Sequence, residues 1–112
     1  MDPLSGAKCE LAEETGLTAA RWHPFLHLAP VNSETNLESY GFIAWDLLPG
    51  TPHPDDGEEL AIRRLPFAAV LEMVLSGAIT SAISVAMVMQ AHVLALRGQL
   101  PAEVTPALRA GR

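Results

Sequence analysis

Glu10, Glu13 and Glu14 carry the densest chemical signal in the chain. On a helix they stand at i, i+3 and i+4, so their side chains leave neighbouring points of one face. No Lys or Arg lies three or four residues from any of them. Like charges at that spacing destabilise an isolated helix by roughly 0.2–0.5 kcal/mol per pair. Oxygen-rich clusters of this kind are what a hard divalent cation such as Mg²⁺ binds. A solvated acidic face is the alternative reading of the same pattern. The other reactive residue types offer less. His23 and His27 are four apart, but Pro24 between them argues against a helical ligand pair. His53 and His92 share no ligand spacing with them, so structural or surface roles are expected for all four. Cys9 has no His-based triad around it and reads as a packed or exposed thiol. Trp22 and Trp45 could stack on a base, with core packing as the default; Met73, Met87 and Met89 read as core filling.

The elements that must position the glutamates follow from local chemistry. Asp2 suits an N-cap and Pro3 the first helical position, with Leu4, Ala7 and Leu11 as an inward stripe. Gly16 supplies a left-handed stop, so the helix is predicted over about Pro3 to Thr15. Thr18 to Leu28 reads as an extended segment bent by Pro24. Pro30 to Asn36 is a polar loop, and Leu37 to Leu48 a mostly buried strand. Three prolines and two glycines make Pro49 to Gly57 a loop, acidic at its end and running into Glu58 and Glu59. Leu60 to Leu65 is predicted as a short third strand. Pro66 opens a helix that Gly77 ends, with Phe67, Val70, Leu71 and Val74 inward. Thr80 or Ser81 caps a last long helix closed by Arg97-Gly98. From Gln99 the Pro- and Ala-rich chain is expected to be a flexible tail.

Composition narrows the function classes. The chain has 112 residues, 49% of them hydrophobic, enough for one small ordered domain. A net charge of −6 without any Lys/Arg run argues against nucleic-acid binding. A phosphate-bearing substrate would need a metal bridge beside such an acidic surface. One cysteine excludes an internal disulfide framework and fits a reducing cytosol, so a cytoplasmic protein is expected. Met1-Asp2-Pro3 lacks the features of a signal peptide. Ile79 to Leu96 approaches the length of a spanning helix, but Thr80, Ser81, Ser84, Gln90 and His92 interrupt it, so no membrane span is expected.

The run Cys9 to Leu17 resembles the Nudix box, which reads Gly, five residues, Glu, seven residues, Arg-Glu-U-x-Glu-Glu-x-Gly-U, with U a bulky aliphatic. Glu10, Leu11, Glu13, Glu14, Gly16 and Leu17 fall on the matching positions in order. Cys9 stands where the motif has arginine, and Met1 where it has its first glutamate, so only the back half of the box is present. Asp55 to Ile62, Arg64 to Phe67 and Met73 to Ile79 are similar in pattern to the C-terminal half of the ADP-ribose pyrophosphatase branch. The resemblance implies an α+β fold, a partial Nudix-type α/β/α sandwich with a catalytic helix, about three strands and two C-terminal helices. The domain would span residues 1–98 without the family's N-terminal strands, followed by a tail over 99–112. Either the true start lies upstream or the chain is a shortened copy.

The implied activity is hydrolysis of a nucleoside diphosphate linked to a second moiety, ADP-ribose-like, with Mg²⁺ or Mn²⁺ as cofactor. Glu10, Glu13 and Glu14 would ligate the metal, with Glu14 also catalytic. Glu58 or Glu59 would be the general base, and Glu38 is a further candidate. Missing the motif arginine should leave the glutamates less well oriented. The alternative is a catalytically silent Nudix-like module with a structural or interaction role. An uncovered strand edge invites pairing, so a homodimer is expected.

Overall fold

A computed structural model describes residues 2–30, 37–53 and 62–109. In chain order the elements are α1 (Pro3–Thr15), β1 (Thr18–Leu28), β2 (Ser39–Leu48), α2 (Phe67–Leu75), α3 (Ala82–Leu96) and α4 (Thr105–Leu108). The class is α+β, with β1 and β2 pairing as a two-stranded antiparallel sheet. The chain divides into two compact units, Met1–Pro24 with Phe42–Arg63, and Phe25–Gly41 with Arg64–Arg112.

In the first unit α1 begins where its cap predicts. The Ser5 amide donates to Asp2 Oδ1 and the Ser5 hydroxyl to Oδ2, both at 2.9 Å, and Pro3 follows the cap. Those two bonds, the backbone one first, hold the Asp2 carboxyl below the usual carboxylate range. A carboxyl depressed on folding contributes stability above its unfolded value, ~3.9, and loses it as pH falls through the lower folded value. The first turn of α1 is therefore expected to loosen only in that acidic window, read by the Ser5 amide resonance. Asp2→Asn, which caps without titrating, should remove the pH dependence. No side chain of α1 is buried; Leu4, Ala7 and Leu11 are half-buried.

The strands of this unit meet through aromatic side chains. Trp22 packs edge-on against Phe42 at 6.2 Å between centroids, and its Nε1 donates to the Ala19 carbonyl at 3.1 Å. The Arg21 guanidinium lies 5.5 Å from the centre of the Trp45 ring, within cation–π range. Pro24 stands inside β1 without ending it. Each strand has one partner among the described residues, and a ribbon edge tolerates a missing N–H.

The third strand expected over Leu60 to Leu65 is not formed by its described part. Ile62, Arg63, Arg64 and Leu65 carry no strand, with Ile62 52% and Leu65 36% exposed. Two adjacent arginines before Pro66 leave little to bury, and strand pairing needs a partner edge that these residues do not meet. The described sheet has two strands, and the sandwich is not completed by it.

In the second unit the hairpin continues with Gly41 beside Leu26. A β carbon at Gly41 would lie 3.0 Å from Leu26 Cβ and 3.1 Å from the Phe25 ring, so that ring takes the space a side chain would need. The three helices of this unit pack on one another. Pro66 sits at the N-cap of α2, one position earlier than expected, and its carbonyl accepts from the Ala69 and Val70 amides. The Ser81 hydroxyl caps α3 by accepting from the Ser84 amide. Among the described residues the buried side chains are Leu71 on α2, Ala91 and Ala95 on α3, and Leu100 and Val104 beyond it. Two alanines one turn apart let neighbouring elements approach α3 closely. Leu71→Ala is expected to destabilise this unit by about 2–3 kcal/mol, seen as a lower urea midpoint in far-ultraviolet circular dichroism.

Residues 99–109 differ from the free tail expected of them. Leu100 and Val104 are 8% and 9% exposed, and the Thr105 hydroxyl donates to the carbonyls of Leu100 and Pro101. His92 Nδ1 lies 3.0 Å from the Leu108 carbonyl oxygen and its ring leans on Phe67 at 6.3 Å. The apolar residues spaced among the prolines have a helix surface to cover, which outweighs the loop-like composition. Among the described residues no helix is long and apolar enough to cross a membrane.

Candidate functional site

The glutamate-bearing end of α1 is closed by backbone amides and by the hydroxyl of Thr15. Its last carbonyls have no intrahelical partner, as at any helix end. The Thr15 hydroxyl donates to the Leu11 carbonyl at 2.6 Å and accepts from the Leu17 amide at 3.0 Å. The Gly16 amide donates to Ala12, and the His53 amide reaches across to the Glu13 carbonyl at 2.7 Å. Gly16 itself is left-handed, with φ 76°, as the predicted stop requires. Its backbone runs so close to Gly50 and Pro52 that neither glycine has room for a side chain. The loop after β2 is thereby fastened to the turn that follows the glutamates.

Glu10, Glu13 and Glu14 are all exposed on α1, and none forms an ion pair or side-chain hydrogen bond among the described residues. Helical spacing puts Glu10 and Glu14 about 6 Å apart along the axis, on one face. Cys9, in the arginine position of the motif, is an exposed free thiol. A Mg²⁺ ion asks for several oxygens at close to octahedral geometry. Among the described residues no three His, Cys, Asp or Glu side chains are gathered so as to hold a metal ion. The α1 carboxylates as placed therefore do not fit a metal site by themselves. Glu58 and Glu59, expected as general-base candidates, lie outside the described residues, as do Asp55 and Asp56.

A second constellation was only partly visible in the sequence. Glu38, the lesser base candidate, accepts from the Tyr40 hydroxyl at Oε2, 3.1 Å away, and its Oε1 lies 3.0 Å from His27 Nε2. The His27 and Tyr40 rings stack at 4.5 Å with an interplanar angle of 8°. One carboxylate thus ties together two rings on adjacent strands. Its oxygens are both engaged, which suits a structural clasp better than a free base. The bond from Tyr40 to Glu38 raises the Tyr40 hydroxyl above the usual tyrosine range, helped by desolvation and the carboxylate's charge. Tyr40 should ionise later than free tyrosine in an ultraviolet titration, and Glu38→Gln should bring it back towards the ordinary value. A titration unchanged by Glu38→Gln would contradict this contact. Pairing the two strands in register would have exposed the cluster, because His27 and Tyr40 fall opposite each other when Leu26 faces Gly41.

His23, His53 and His92 join no such cluster with ligand character among the described residues. Trp45 Nε1 is buried with no hydrogen-bond partner among the described residues, beneath the Arg21 guanidinium. No protein-family model matches the chain, and no curated protein matches it either.

Proposed function

We propose that this chain acts in the cytoplasm on the pyrophosphate of a nucleoside diphosphate linked to a second moiety, in the manner of the Nudix hydrolases whose box it resembles. The observation that supports this reading is the end of α1. Three carboxylates at i, i+3 and i+4 stand on one exposed face, directly before a left-handed glycine held against a second loop. Glu10 and Glu14, with Glu13 beside them, are the residues proposed to meet a divalent cation, Mg²⁺ or Mn²⁺; when bound, such an ion would polarise the phosphorus and activate water. Glu58 or Glu59 remain the proposed proton acceptors. The additional oxygens needed would come from outside the α1 set, since that set does not complete a site alone.

The test is direct. Full-length protein with ADP-ribose and millimolar Mg²⁺ should release AMP, and chelation of the cation should stop it. Absence of AMP under these conditions removes the proposal.

A second reading is favoured by one specific feature, the exposure of all three carboxylates with no third-party ligand among the described residues. On that reading the chain is a non-catalytic module of the same origin, and its thermal midpoint does not respond to Mg²⁺ with nucleotide. A midpoint that rises with both would count against it. Self-association as a homodimer is proposed on either reading, because β1 and β2 each have a single strand partner among the described residues.

A further inference from the structure

We draw no further inference here: the strongest candidate, the apolar stripe that α3 leaves exposed at Ile83, Val93 and Leu96, carries nothing because nothing in the structure shows what covers it.

Discussion

Gly16→Ala should lower the unfolding free energy by more than about 3 kcal/mol. Two contributions combine. A left-handed backbone costs a residue with a β carbon about 1–2 kcal/mol. The added carbon would also stand 2.5 Å from the Gly50 carbonyl oxygen and 2.8 Å from the Pro52 nitrogen. Those are backbone atoms, which cannot rotate away as a side chain would, so the loop after β2 must separate from α1. The His53–Glu13 hydrogen bond, 2.7 Å, would be lost with it. Gly77 supplies the control: its φ is 84°, yet a β carbon there meets nothing within 4 Å. Gly77→Ala should therefore cost only the backbone term. Trp22 and Trp45 lie in the same unit as Gly16, so tryptophan fluorescence during urea unfolding reads the first variant. Circular dichroism reads the second. Equal losses in the two variants would mean that the close approach of Gly16 to Gly50 does not occur.

Glu14→Gln carries the largest expected effect on activity. If the proposed hydrolysis occurs, the substitution should reduce Mg²⁺-dependent AMP release by roughly 100-fold or more, since even groups one shell removed from a catalytic metal change affinity or activity about 10–100-fold. Stability should move the other way. Glu14 is exposed and repelled by Glu10 one turn earlier, so a neutral isostere should stabilise α1 by roughly 0.2–0.5 kcal/mol. Opposite signs for activity and stability separate a role in chemistry from a role in folding. Glu72→Gln, on an exposed position of α2, should leave the rate unchanged. AMP release that survives Glu14→Gln would exclude the α1 carboxylates from the reaction.

Both effects depend on features of unequal visibility in the sequence. The bounds of α1 were readable because local groups set them: Asp2 and Pro3 at one end, Gly16 at the other. The same holds for α3 between Ser81 and Arg97. The contact of Gly16 with Gly50 could not be read, because it joins residues far apart in sequence through bare backbone and leaves no side-chain pattern. The third strand failed for a related reason. Alternation at Leu60 to Leu65 indicates a face, but a strand exists only where a neighbour supplies the ladder, and Ile62 to Leu65 have none. Residues 99–109 show the converse, a loop-like composition ordered by the helix surface that Leu100 and Val104 cover. At the candidate site, the shared face of Glu10, Glu13 and Glu14 follows from helical periodicity alone. Whether other groups converge on it depends on tertiary placement. Glu38 reads as a strand-edge carboxylate, and nothing local to it shows that its Oε1 meets His27 across the hairpin while its Oε2 accepts from Tyr40 two residues on.

The last turn of α1 has no basic residue. Glu13 and Glu14 therefore stand, with Glu10 one turn behind them, at the pole of the helix that is already negative, where cations are favoured and anions are not. Left alone, that end would be the first part of α1 to unravel at low ionic strength. The amides of Gly16 and His53, pointing their hydrogens at that pole, act as a fixed counter-charge that dilution cannot remove. The acidic end is thus poised to gain from any mobile cation, while its shape depends on peptide groups that never titrate.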